Sequence, residues 1–141
     1  MRVARFSVGV AVVACVVALG GSAVAHVTLE PPVVPAGSTQ SIDFTVDHGC
    51  AGSPTVRLQV YLPGGVSWPR PAPVQGWVTA VDGSTVTWSG GRLPDQTSFT
   101  VRVDMTLPDT PRQTILFPLI QTCEQGVVSW TTPRVRLRRL S

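Results

Sequence analysis

His26 lies where a histidine could do chemistry that no internal histidine can. The residues before it have the layout of a secretory signal: a basic start, an apolar run over residues 6–19 and the small-x-small pattern Ala23-Val24-Ala25. Cleavage after Ala25 would make His26 the first residue of the mature chain. The α-amine and the imidazole Nδ1 of a terminal histidine can bind one metal ion together. Because the reference pKa of an α-amine is about 7.7–8.0, a metal can displace its proton near neutral pH.

Copper is the metal that this pair of nitrogen donors favours. Two nitrogens from one residue suit a borderline divalent ion with tetragonal preference, and Cu(II) has the highest affinity in the divalent series. Glu30 lies four extended residues away, roughly 13 Å at ~3.3 Å per residue, which is too far to share the ion unless Pro31-Pro32 turns the chain back. The alternative, that signal cleavage leaves a histidine first by chance, stays open.

Two further candidate ligands flank the cysteines. Once residues 1–25 are removed, only Cys50 and Cys123 remain, and an even pair in an exported protein predicts one disulfide. A disulfide brings the two Cα atoms to about 5.5 Å, so His48 and Glu124 are expected in one neighbourhood. Each also has a simpler interpretation, since His48 lies in the loop-like stretch Asp47-His48-Gly49 and Glu124 is typical of a solvated loop acid.

A membrane anchor or a lipidated cysteine would change the interpretation of the first 25 residues. The apolar run of about 14 residues is short for a membrane span, which needs ~20. Cys15 lies in a loose match to a lipidation motif, but in the middle of the apolar run and not at its end. We therefore predict a cleaved signal peptide over residues 1–25 and one domain over residues 26–141. The mature protein is expected to be secreted, or otherwise extracytoplasmic and associated with the cell surface.

The elements that must position these residues are short β-strands. Glycine and proline, 13 of each, interrupt the chain at short intervals, and the runs between them alternate with a period of two. Asp82-Gly83 is a hairpin signal, and Val101, Val103 and Met105 point to one side of a strand. This pattern predicts an all-β, immunoglobulin-like antiparallel sandwich. The expected strands cover residues 27–30, 39–46, 55–61, 77–81, 85–89, 98–105, 115–120, 127–130 and 134–137.

The tryptophans and the charges are consistent with such a domain. Trp68, Trp77 and Trp88 are expected to pack in the core or at its rim, and Trp130 would also serve as core. The chain has 11 basic residues, all arginine, against 8 acidic ones, and four of the arginines form a short C-terminal tail. Because no basic stripe alternates with aromatic residues, nucleic acid is excluded as a partner. No serine or cysteine nucleophile lies beside a base, which argues against a hydrolase.

Five stretches in order resemble the YcnI-like family of exported copper-binding domains. They are AHVTLEPP after the signal, HGCAGSPTVRLQVYLPGGV, GWVTAV, TWSGGRLPD and FPLIQTCEQGVVSW. The resemblance implies an immunoglobulin-like sandwich that binds Cu(II) through the amine and imidazole of His26, a single-histidine brace. It also implies that Trp130 lies close to the metal. The expected role is copper homeostasis without catalysis, with exported copper chaperones or a membrane copper transporter as partners, and with a weak homodimer as a further option.

The sequence departs from the family pattern at two places. Family members use an early glutamate as a further copper ligand, whereas the matching stretch here reads Val46-Asp47-His48-Gly49. Either Asp47 or His48 replaces the glutamate, or fewer side chains bind the metal. Many relatives also continue into a membrane span, whereas this sequence ends at Ser141, from which we expect a protein without an anchor.

Two other function classes compete with copper handling. In the first, His26 is incidental and the domain is a metal-free extracellular interaction module. In the second, the protein is a copper-dependent oxidative enzyme of the polysaccharide monooxygenase type, with His48 as the second histidine of the brace and Tyr61 as the only tyrosine available near the metal. The short chain argues against the second class.

Overall fold

The computed structural model describes residues 26–141, and every regular element in this range is a β-strand. The expected signal peptide, residues 1–25, lies outside the described residues. Across the described range, no helix has the length and hydropathy needed to cross a membrane. The twelve strands are β1 Val27–Glu30, β2 Val33–Pro35, β3 Thr39–Val46, β4 Thr55–Tyr61, β5 Ser67–Pro71, β6 Val78–Asp82, β7 Thr85–Leu93, β8 Phe99–Thr106, β9 Thr114–Leu116, β10 Leu119–Cys123, β11 Val127–Trp130 and β12 Arg134–Arg138.

Two antiparallel sheets form the sandwich. The first has the strand order β1-β3-β8-β5, and the second has the order β11-β10-β4-β7-β6. A small third sheet, β2-β12-β9, contains the parallel pair β2–β12. The chain passes repeatedly from one sheet to the other, which is typical of immunoglobulin-like connections. The predicted all-β sandwich is therefore confirmed.

The core follows from the period-two alternation of the strands. In β8, Val101, Val103 and Met105 are fully buried, as their spacing predicts, and the residues between them face outward. Trp88 is also fully buried, and Phe44 packs edge-to-face on Phe117 with ring centroids 5.7 Å apart. Inward-facing residues from both sheets thus interdigitate in one core.

Proline explains where the predicted strands differ from the observed ones. The expected strand over residues 115–120 is divided into β9 and β10, because Pro118 has no N–H to donate to a ladder. The short strands β2 and β5 were not expected, since each contains proline, which weakens the strand signal. Both lie at the edge of their sheets, where proline is tolerated.

The expectation that Trp68 packs in the core or at its rim is wrong. Its side chain is 77% exposed, although Trp88 is buried and Trp77 stacks on Phe99 as a packing role requires. The reason is a β-bulge in β5, where the register with β8 shifts between Ser67 and Arg70. A bulge bends the strand and redirects the side chain of its extra residue.

A disulfide joins Cys50, in the loop after β3, to Cys123, at the end of β10. The Cα atoms are 6.0 Å apart, and the crosslink connects the loop between β3 and β4 to β10 of the second sheet. The predicted pairing is thus present in the structure. Cys123 is buried and Cys50 is half-buried. A structural disulfide of this kind indicates an oxidising, extracytoplasmic environment.

Removal of this crosslink is expected to destabilise the domain strongly. For a sequence separation of 73 residues, the chain-entropy model gives a loss of about 4 kcal/mol in the free energy of unfolding. Guanidinium chloride unfolding of the Cys50→Ala/Cys123→Ala variant would measure it, with the reduced wild-type protein as the control. A loss below about 1 kcal/mol would contradict a stabilising role for the crosslink.

The outer face of the first sheet is polar and held by cross-strand pairs of side chains. Arg102 forms a bidentate ion pair with Asp43, at 2.6 and 2.8 Å. The hydrogen bond and the charge of Arg102 lower the pKa of Asp43. Three further pairs between β3 and β8 are Thr39 with Thr106, Ser41 with Asp104, and Thr45 with Thr100.

The Asp43–Arg102 pair predicts a pH-dependent contribution to stability. A carboxyl with a lowered pKa in the folded state stabilises the fold above its usual pKa of 3.8, and this contribution is lost as the pH falls through the lowered value. Because the pair is exposed, Arg102→Gln is expected to lower the free energy of unfolding at neutral pH by at most about 1 kcal/mol. The difference should disappear in acid. Urea unfolding across the pH range measures this, with the exposed Arg136→Gln as the control, and an equal loss at neutral and acid pH would contradict it.

Candidate metal site

The two histidines of the chain lie at the same end of the first sheet. His26 comes immediately before β1, and His48 follows the end of β3 by two residues. The two strands are antiparallel, with Val27 opposite Val46, so the chain at His26 runs alongside the residues that follow β3. His26 is exposed and His48 is half-buried. Strand pairing therefore places two residues that are 22 positions apart in the sequence at the same end of the first sheet.

His48 and Trp130 line one cavity of about 460 Å³. The loop of residues 48–52 forms one wall, Asp95 and Gln96 form a second, and Val128 and Trp130 of β11 form a third. Cys50 lies in the first wall, so the disulfide fixes this loop at the edge of the cavity. The structure thus places the candidate ligand His48 near the tryptophan that the resemblance assigns to the metal environment. His26 is not among the residues that line this cavity.

Gln121 connects His48 to Trp130. Its side chain is fully buried, and its Nε2 donates to the carbonyl oxygen of His48 at 2.8 Å and to Oγ1 of Thr55 at 2.7 Å. Its Oε1 accepts a hydrogen bond from the indole Nε1–H of Trp130 at 3.2 Å. One buried amide therefore satisfies three polar groups and orients both the His48 backbone and the Trp130 ring.

The residue after His48 has to be a glycine. A Cβ at Gly49 would lie 2.2 Å from the carbonyl oxygen of Ser53, so the loop closes only without a side chain there. The Gly49 N–H donates to Oδ1 of Asp95 at 2.9 Å. The pKa of Asp95 is lowered, first by the side-chain hydrogen bond from Gln96, then by this backbone N–H and by the charge of His48. Asp95 thus remains ionised, and its carboxylate holds the loop of residues 48–52 through the hydrogen bond from Gly49.

The remaining acidic candidates lie elsewhere. The carboxylate of Glu124 is paired with Arg92, with Oε1 2.5 Å from Nε. Glu124 lines a neighbouring cavity of about 510 Å³ that shares Cys50, Ala51 and Gly52 with the His48 cavity. Glu30 lies opposite Asp43, at the other end of β1 from His26. Asp47 accepts a hydrogen bond from Oγ of Ser98 at 2.9 Å and follows β3 directly.

The side chains alone do not make a closed metal cage. Within residues 26–141, no group of three or more His, Cys, Asp or Glu side chains is arranged to hold a metal ion. An ion bound by this part of the chain would need a donor of another kind. The amine of a chain that begins at His26 is such a donor, and with the His26 imidazole it supplies two nitrogens from one residue.

The sequence indicated His48 and Trp130 but missed Gln121 and Asp95. Gln121 had a signal, because it occupies an inward position between Leu119 and Cys123 in the alternation of β10. A glutamine at such a position needs buried partners, but the sequence alone does not name them. Asp95 carried no signal, since its partner Gly49 is 46 residues away in the chain.

We expect Gln121→Met to release both His48 and Trp130. The substitution keeps the volume but leaves the half-buried His48 carbonyl and Trp130 indole N–H without their partner, and an unsatisfied buried group costs about 1–3 kcal/mol. The free energy of unfolding should fall by about 1–3 kcal/mol, and the indole N–H resonance of Trp130 should shift in the NMR spectrum. Gln75→Met, at an exposed loop position, is the matched control. An unchanged Trp130 resonance would show that Gln121 does not orient the ring.

The fold and the site together define an immunoglobulin-like β-sandwich domain. It is similar to an uncharacterised protein from Nocardia farcinica whose crystal structure has an immunoglobulin-like fold, with 26% identity, a TM-score of 0.69, and coverage of 80% of this chain and 98% of that one. The seventh ScaB type I cohesin from Pseudobacteroides cellulosolvens shares the fold at 4% identity, with a TM-score of 0.53 and coverage of 82% and 92%. No functionally curated protein matches the chain.

The family model described as "Domain of unknown function (DUF1775)" matches residues 26–85 and 79–138. The chain therefore belongs to the DUF1775 family, which is the domain of the YcnI-like proteins. The match begins at His26, the residue that follows the predicted cleavage site.

Proposed function

We propose that this protein is an extracytoplasmic Cu(II)-binding domain that buffers or delivers copper without catalytic turnover. The single observation that carries the proposal is the position of the two histidines at one end of the first sheet, with His26 exposed at the start of β1. Signal cleavage between Ala25 and His26 would create the amine that completes the chelate. Bound Cu(II) would take the His26 amine and Nδ1 as its first two ligands.

The surrounding residues fit a copper ion with nitrogen ligands. His48 supplies an imidazole that follows β3 beside the start of β1, and Asp47 precedes it, so either can take the place of the glutamate that other family members use. Trp130 is not a ligand, because its indole nitrogen is a donor only and is occupied by Gln121. Its ring instead covers one side of the His48 cavity, where it would keep water away from a metal.

A binding role is consistent with an open site, since residues 26–141 form no closed cage of metal-binding side chains. An ion that is to be passed on benefits from ligands that a partner can reach, and His26 is exposed. The expected partners are other exported copper chaperones or a membrane copper transporter. The alternative of a metal-free interaction module differs from this proposal in one measurable property, the affinity for Cu(II).

The test compares a chain that begins at His26 with the same chain acetylated at its α-amine. The first is expected to bind one Cu(II) and to give a nitrogen-rich, tetragonal electron paramagnetic resonance spectrum. Acetylation converts the His26 amine to an amide, and the affinity should fall at least roughly tenfold, which is about 1.4 kcal/mol. His48→Asn in the chain that begins at His26 measures the second imidazole separately, and a smaller loss is expected there.

Two outcomes would contradict the proposal. Equal binding by both chains would place the metal on side chains alone, and binding by neither would favour the metal-free interaction module. The non-catalytic role is tested on the copper-loaded protein with ascorbate. We expect hydrogen peroxide to form more slowly than with the same concentration of free Cu(II), whereas faster formation would indicate an oxidative enzyme.

A further inference from the structure

Trp68 is the most exposed large apolar side chain among residues 26–141, at 77%. It lies in β5, at the edge of the first sheet, where it buries little surface and so contributes little to the core. Most tryptophans bury a large area, as Trp88 does in the same domain. The exposure of Trp68 therefore indicates a role other than stabilising the fold.

The backbone at Trp68 is strained as well. Its φ is +55°, in the left-handed region that a bulky residue rarely adopts. Ser67 lies opposite Thr106, and Arg70 lies opposite Asp104, so β5 advances three residues while β8 advances two. This bulge directs the indole to the outside. Glycine would take this conformation at lower cost, so the tryptophan is not there for the stability of the fold.

The indole borders a groove of about 400 Å³ on the outer face of the first sheet. Ser41, Arg70 and Asp104 line it, together with the hydroxyls of Thr39 and Thr106. The Ser41 hydroxyl donates to the carboxylate of Asp104, which keeps further lone pairs free to accept hydrogen bonds. Arg70 makes no side-chain hydrogen bond or ion pair with any residue in the described range, so its guanidinium can still donate.

We propose that this groove binds a neutral glycan chain. A sugar ring has an apolar face of C–H groups, which suits the exposed indole, and a rim of hydroxyls that both donate and accept hydrogen bonds. Asp104 supplies acceptors and Arg70 supplies donors beside the ring, which is the combination that hydroxyls require. The charges of Asp104 and Arg70 balance, so the groove favours an uncharged ligand. With one carboxylate and no histidine it is not a metal site, and its polar lining does not suit an apolar protein surface.

The experiment uses the purified protein with its disulfide intact, in the presence of EDTA, so that the result does not depend on copper. Cellohexaose and chitohexaose are titrated separately by calorimetry and by tryptophan fluorescence. At least one of them is expected to bind and to shift the emission of Trp68 to shorter wavelength. Trp68→Gly should weaken binding at least tenfold, and it should leave the melting temperature unchanged or raise it, because glycine relieves the positive φ.

Val78→Ala, at an exposed apolar position on the edge strand of the other sheet, is the matched control and should bind as the wild type does. Asp104→Asn should weaken binding as well, since it removes acceptor capacity next to the ring. The proposal is overturned if neither hexasaccharide binds at millimolar concentration, or if Trp68→Gly binds as tightly as the wild type. Concentration-dependent self-association that Trp68→Gly abolishes, without glycan binding, would identify a second copy as the occupant and would also overturn it.

Discussion

The buried amide of Gln121 joins the second sheet to the loop after β3, at the end of the sandwich where both histidines lie. Its NH₂ group needs acceptors and its oxygen needs a donor, and the His48 carbonyl and the Trp130 indole meet these needs in only one orientation of the amide. The Cys50–Cys123 disulfide holds the same loop two residues later. The position of His48 thus depends on one polar network and one covalent bond between this loop and the second sheet, and strand pairing alone does not determine it.

The period of two along each strand allows an apolar core and a polar outer face to coexist. In β3, Ile42 and Phe44 are fully buried, while the alternate residues Ser41 and Asp43 face the outer surface and pair with β8. Outward positions can therefore carry hydrogen-bonding groups without a cost to the core. The candidate metal site lies instead at strand ends and in loops, where side chains need not alternate between the two faces of a sheet. The two sites share no residue.

The sequence predicted what depends on local pattern. The limits of β1, β3, β4 and β11 follow from alternation and from the glycine and proline residues that bound them, and the disulfide follows from the presence of only two cysteines in residues 26–141. The exposure of Trp68 could not be predicted, because it depends on a bulge that exists only relative to β8. The partners of Gln121 are 9 to 73 residues away, so their identity depends on the fold.

The proposed copper site at His26 lies at an open end of β1. β1 is an edge strand that pairs only with β3, so the backbone before Val27 has a neighbour on one side and solvent on the other. His48, by contrast, is held from two directions, by Gln121 through its carbonyl and by Asp95 through the next N–H. A chelate at His26 would thus be open to an incoming ligand while the second imidazole stays in place. A partner could replace the ligands one at a time, which a closed cage of buried side chains would prevent.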